Sequence, residues 1–318
     1  MSTPAGPPRG MATNPSWQVT ALTCVVGLAL ADQRIERREL PRDVMNQTGA
    51  TIPFIRRVEK GHFCPVTDVF TIERLVRHYY SPTDPAGPGL LELLHTHGPF
   101  SAPREPLDDT FHGWPSRLAA CERRAPALTI YSALAFPPLL QIPIYTTAWL
   151  RTCGPTNDLT YPSTRRALAP DHSKQQVQVI LEQAPFYAIH QLIPRCALIA
   201  QLTHVLRMVD EGRVDIRLRP PDTAMPQDPA LLTVMSPAPG FFLTAEEAYV
   251  DAQRVSHPMY TFSLSPYSPW PPFLGSIRSK ALTPQDSYTA LGRILHHLQP
   301  RAVSHQADRR VLGRDQSG

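Results

Sequence analysis

Lysine is almost missing from this chain. Lys60, Lys174 and Lys280 are the lysines, so 28 of the 31 basic residues are arginines. Arginine presents a planar fork that grips phosphate or carboxylate, where lysine presents a mobile point charge. A GC-rich coding sequence produces the same bias, so the ratio alone names no ligand. Strong charge of one sign is also missing: 27 acidic residues leave a net charge of +4. That excludes an intense phosphate-attracting field over the whole surface, and any nucleic-acid contact has to be local.

Cysteine is sparse as well. Cys24, Cys64, Cys121, Cys153 and Cys196 stand apart, with no CxxC pair. The spacing excludes a zinc ribbon and a dense disulfide scaffold, and the expectation is reduced, mostly buried thiols. No apolar run reaches the ~18 residues that a transmembrane helix requires. The P-loop, the dinucleotide-binding glycine fingerprint, the GxSxG elbow, the HExxH pair and the EF-hand loop are absent too, which counts against the common enzyme classes they mark without excluding rarer ones. No internal repeat or heptad run is present, and no cofactor or metal is expected.

Proline is abundant instead, at 36 of 318 residues. The prolines are spread along the whole chain, so they divide it into short elements joined by ordered turns. With 42% hydrophobic residues the chain can bury a sizeable core. The expected organisation is a Pro-rich N-terminal arm over 1–15, a single body over 16–300 with a sub-boundary near 155–173, and a polar Arg-containing tail over 301–318. The expected class is mostly α (α+β), a helix-rich body of short proline-bounded helices with a few strands and extended arms.

Several helices are legible. Ile72, Leu75, Val76 and Tyr79 share one face, as do Leu198, Ile199, Leu202, Val205, Leu206 and Val209 ahead of Gly212. Residues 89–98 and the stretch opening at Pro115 read as helices. Thr283 and Pro284 start another, carrying Leu291, Ile294, Leu295 and Leu298. KQQVQVILEQ (174–183) reads as a helix, and so does TAEEAYVDAQRV, whose Thr244 and Glu247 have capping-box spacing. The apolar stretch 127–150 is left open between strands and short helices, and SPYSPWPPF reads as extended. Residues 18–40 have two readings. Ala29-Leu30-Ala31 fits a signal-peptide cleavage pattern, which would make the protein secreted. Leu22, Val25, Val26, Ala29, Leu30 and Ile35 repeat at helical spacing after a possible Ser16 cap, and the helix reading is preferred.

Few constellations carry chemistry. His95 with His97, His296 with His297, and His62 with Cys64 lack metal-site spacing. Cys121, or Cys196 with His190 or His204, offers a weak nucleophile-and-base reading, and Asp108, Asp109 and His112 a weak acid–base one. The arginines give the better lead. Val214, Ile216 and Leu218 alternate with Arg213, Asp215, Arg217 and Arg219, as in a half-buried strand with guanidiniums on its outer face. Such a comb, with the pairs Arg56-Arg57 and Arg165-Arg166, would hold successive phosphates of a single strand, RNA in particular. The expectation is therefore a non-catalytic, self-assembling structural protein of the virion or cytoplasm, such as a viral coat subunit, with copies of itself and single-stranded nucleic acid as partners. A cellular scaffold protein is the first alternative and an enzyme with a Cys/His centre the second.

Overall fold

A computed structural model describes residues 19–98, 106–152, 175–183, 186, 193–221, 231–238, 241–247, 249–250, 254–255, 257–264 and 270–299. The chain opens with five helices: α1 (Ala21–Glu36), α2 (Pro41–Thr48), α3 (Ile52–Val58), α4 (Val69–Tyr79) and α5 (Ala86–His97). The helix reading of residues 18–40 is the one observed. Val25 and Val26 are fully buried, with Ala21, Ala29 and Leu30 almost so; α1 packs against α4 and α5, while α2 packs against α3 and α4. The helix runs without a break through Ala31 to Glu36. Its cap is Thr20, whose Oγ1 accepts the Thr23 N–H while the Thr23 hydroxyl accepts the Thr20 N–H. Ser16, the cap expected from the sequence, lies outside the described residues.

The described residues after α5 include a seven-stranded mixed sheet in the order β1-β9-β6-β5-β2-β3-β4. Its strands are β1 (Leu107–Asp108), β2 (Ala127–Ser132), β3 (Gln176–Glu182), β4 (Asp215–Arg219), β5 (Leu231–Ala238), β6 (Phe241–Glu247) and β9 (Met259–Leu264); β7 (Tyr249–Val250) and β8 (Arg254–Val255) pair separately. β2, β3 and β4 are parallel and the remaining pairs antiparallel. A parallel neighbour needs a long crossover, and α8 (Arg195–Asp210) lies between β3 and β4.

The register places Leu107, Tyr260, Ala245, Thr233, Ile130, Val179 and Ile216 in one row on the face that joins the main core. On the opposite face Tyr131, Ile180, Leu232 and Val234 pack against Ile277 of α9 (Trp270–Lys280). The exposed edge of β4 is sealed by α10 (Pro284–Leu298) and its approach. The Leu218 N–H donates to Ser287 Oγ at 2.9 Å, and the Leu218 carbonyl accepts the Leu282 N–H at 2.8 Å.

The observed class is α+β, with ten α-helices and this sheet among the described residues, so "a few strands" understates the sheet. Three sequence expectations change. Residues 176–182 form β3, because Val177, Val179 and Leu181 alternate onto the core face between two parallel neighbours. Thr244 lies inside β6 rather than at a helix cap; its backbone pairs with Val234 and Thr261. Pro271 and Pro272 fall in the first turn of α9, where a missing N–H costs no helical bond. The open stretch 127–150 divides into β2, a 3-10 turn at Pro138–Leu140 and α7 (Pro143–Thr152).

The helical unit and the sheet unit share one hydrophobic core, which runs from Leu22 through Leu118 and Ile130 to Leu291. α1 packs along α6 (Trp114–Arg124). At that seam Asp32, fully buried, pairs with Arg123 and with Arg124, the latter at 3.0 Å. Arg117 of α6 is 1% exposed and grips Asp109 through two bonds, at 2.8 and 2.5 Å.

Candidate nucleic-acid interface

Two short helices of the first unit are joined in a way the sequence reading did not single out. α2 ends at Thr48, Gly49 adopts a left-handed φ of 70°, and α3 begins at Ile52 after Ala50 and the cap Thr51. Glycine adopts that φ without the steric cost of a Cβ, so the chain leaves α2 sharply. The Thr51 side chain accepts the Phe54 N–H at 3.4 Å. The result is a helix–turn–helix unit with a three-residue turn, Gly49-Ala50-Thr51.

Each face of α3 has a distinct role. Ile55 and Val58 are buried in the core, one turn apart. Glu59, at the C-terminal cap, is held by Arg34 of α1, whose Nη2 donates to its carboxylate at 2.9 Å. Arg57 stacks its guanidinium 5.2 Å from the Phe54 ring and reaches Asp68 at 3.2 Å, ahead of α4. Pro53, Arg56 and Lys60 face solvent. Among the described residues the Arg56 guanidinium has no hydrogen-bonding or ionic partner. Arg42 and the side-chain amides of Asn46 and Gln47 are exposed on α2, and Arg74 of α4 reaches the neighbourhood of Gly49. Of the expected pair, then, Arg56 is free and Arg57 is committed to holding the fold.

The expected comb on β4 does not form. Arg219 is 1% exposed, lies 5.4 Å from the Tyr131 ring and pairs with Glu182. It faces the sheet surface that α9 covers, so it meets no solvent there. Arg217 is half-buried beside Asp215, and Arg213 precedes the strand and pairs with Glu211 at 2.8 Å. Arg165 and Arg166 lie outside the described residues, as do the arms 1–15 and 301–318, on which the coat-like reading rested.

The weaker constellations also separate. Cys121 is fully buried, and burial pushes its thiol well above the ordinary value. Cys196 is exposed at the start of α8, and His204 follows two helical turns later, about 12 Å along the axis. Asp109 is committed to Arg117, and Asp108 pairs with His257 at 2.7 Å. His95 bonds Glu73 at 2.9 Å, and His97 packs edge-on against Phe111. Among the described residues no group of three metal-ligating side chains converges, and no helix is long and apolar enough to cross a membrane.

The α2–α3 motif did leave traces in the sequence. Pro41 stands at a helix start, Gly49 at a helix end, and Thr51 caps a second short helix whose Ile55 and Val58 are spaced for burial. The helices α1–α5, this pair included, precede the part of the chain that comparison with known families recognises. No curated protein and no solved structure matches the chain. Residues 115–293, from the first turn of α6 into α10 and more than half of the chain, match the family model described as "Domain of unknown function (DUF5753)", and the chain belongs to that family.

Proposed function

We propose that this protein binds duplex DNA, laying α3 in the major groove and reading base edges from its exposed side. The observation that carries the reading is Arg56: a partner-free guanidinium on the outer face of a short helix that a tight glycine turn and two buried anchors, Ile55 and Val58, hold in place. In a helix–turn–helix the second helix supplies the base contacts and the first crosses the backbone. Arginine is the residue best shaped to meet the two acceptors of guanine, and Pro53 beside it suits a thymine methyl. Arg42, Lys60 and Arg74 are spaced around the motif to meet phosphates. The proposal keeps the nucleic-acid partner expected from the sequence and replaces a single strand lying on β4 by a duplex lying on α3.

The helical unit carries no large excess of positive charge, so the phosphate contribution is limited to these few cations. With about four phosphate contacts per chain, log K is expected to fall with log salt at a slope near −3.6 per bound chain. The test is selection of duplexes from a random library, followed by fluorescence anisotropy. Arg56→Ala is expected to weaken the selected site by about 1–3 kcal/mol and to relax preference at one base pair, with an unchanged melting temperature. Tighter binding to single-stranded RNA than to any selected duplex, or an Arg56→Ala protein that binds the selected duplex as well as the parent, would overturn the reading.

A further inference from the structure

A half-open cleft of about 280 Å³ lies between α1, the turn that ends α3, and the ends of β5 and β9. It is the place where the helix–turn–helix unit meets the sheet. Its walls are apolar: Val19 and Leu28 from the α1 side, Pro237 and Phe262 from the sheet. One end is lined by Lys60 and His62, and among the described residues neither side chain has a hydrogen-bonding or ionic partner. The carboxylate on the same wall, Glu59, is already held by Nε and Nη2 of Arg34, so it does not satisfy Lys60 or His62. Cys24 adds a thiol that burial keeps protonated, which gives the cleft a neutral wall there.

We propose that this cleft binds a small organic anion, a carboxylate carried on an apolar body, with the carboxylate at Lys60 and His62 and the body between Leu28 and Phe262. The volume lies just below the range of about 300–1,000 Å³ typical of ligand sites, which suits a small ligand of roughly a dozen non-hydrogen atoms. The position of the cleft gives occupancy a consequence. Behind the turn, α1 and the end of α3 touch backbone to backbone: a Cβ on Gly27 would meet the Val58 carbonyl at 2.3 Å, and one on Gly61 would meet Cys24 Cα at 3.2 Å. That contact has no slack. An anion drawing on Lys60 and His62 therefore acts on the turn from its open side and tilts α3 about the Gly27–Gly61 contact. This second step, an effect on DNA affinity, rests on the DNA-binding reading; binding of the anion does not.

The test uses the full chain and octanoate, with 1-octanol as the neutral counterpart. Calorimetry on DNA-free protein is expected to show one octanoate site, with octanol at least fivefold weaker. His62→Gln is expected to weaken octanoate at least threefold and leave octanol unchanged, and Leu28→Trp, which fills the cleft, to abolish both. His62 is chosen over Lys60 because Lys60 also faces the proposed DNA side. Anisotropy with a selected duplex is expected to show a change in DNA affinity of about fivefold or more at saturating octanoate, with the reciprocal change in octanoate affinity that linkage requires. No heat from octanoate at 10 mM, equal binding of octanoate and octanol, or undiminished octanoate binding by a folded Leu28→Trp protein overturns the site. If Leu28→Trp does not fold, His62→Gln alone decides. Octanoate binding without any effect on DNA affinity overturns the coupling and leaves the site standing. A chain that binds octanoate but no duplex overturns the DNA reading instead.

Discussion

Cys24 and Cys121 are buried thiols, Cys121 wholly away from solvent and Cys24 at the wall of the cleft. Burial raises the Cys24 thiol from 9.0 to about 12 and moves Cys121 in the same direction. Below pH 9 this has no effect on stability, because both thiols are protonated whether the chain is folded or not. Between about pH 9 and 12 the unfolded chain releases the Cys24 proton and the folded one keeps it, so stability falls as pH rises, by about 1.4 kcal/mol per pH unit. Tyr79 and Tyr80, also raised by burial from an ordinary value of 10.0, steepen the decline from about pH 10 upward. Urea midpoints measured at pH 8 and pH 10.5 isolate the thiol. Cys24→Ala is expected to lose about 2 kcal/mol less than the parent across that interval, whatever its stability at pH 8. An equal loss in both proteins would mean that the Cys24 site admits water.

At the scale of elements, the edge of β4 shows how the sheet avoids an open rim. A strand edge with unpaired N–H and C=O groups is a template for another chain. Here the Leu218 groups are used by Ser287 and Leu282, so the approach to α10 acts as an eighth, irregular neighbour. Ser287→Ala leaves the Leu218 N–H buried without an acceptor and is expected to cost about 1–3 kcal/mol, read as a lower urea midpoint. A shift of a few tenths would mean that water reaches the edge. The same elements explain what was legible from the sequence. α8 and α10 were readable because each buries one stripe and exposes the other, so the period survives in the residues. β3 was not: Val177 and Val179 alternate with Gln176 and Gln178, but the run Val179-Ile180-Leu181, buried on both faces between parallel neighbours, breaks the alternation and leaves no period to separate it from a helix. β6 misled through Thr244 and Glu247, whose capping-box spacing is local while the pairing that wins is with Val234 and Thr261, far along the chain. The interface was half legible. Arg56 and Arg57 were marked by charge, but nothing in their own charge shows that one is pinned to Asp68 and the other free.

At the scale of the whole molecule, the question is whether a helix–turn–helix unit and a sheet unit act as two bodies or one. α1 belongs to both: it packs against α4 and α5 of the first unit and along α6 of the second. The seam is closed by charge as well as by apolar contact. Asp32 is fully buried and both of its oxygens are engaged by Arg123 and Arg124, while Arg123 also reaches Glu36 at 3.1 Å. Removing one partner of such a buried cluster strands the others without compensation, at a cost of about 3–5 kcal/mol. Asp32→Ala therefore tests the one-body structure. In a Trp17→Phe background, which removes the tryptophan ahead of α1, Trp114, Trp149 and Trp270 report on the sheet unit, since α1–α5 contain no tryptophan, and far-ultraviolet circular dichroism reports on all the helices. In the parent the two signals are expected to change together in a single transition. In Asp32→Ala both are expected to move to lower denaturant by the same amount, because the lost cluster stabilises one shared core. If the dichroism transition splits, with an early phase that leaves tryptophan fluorescence native, α1–α5 unfolds independently. A tilt of α3 would then have no rigid path to the sheet, and an anion in the cleft at their junction would have nothing to push against.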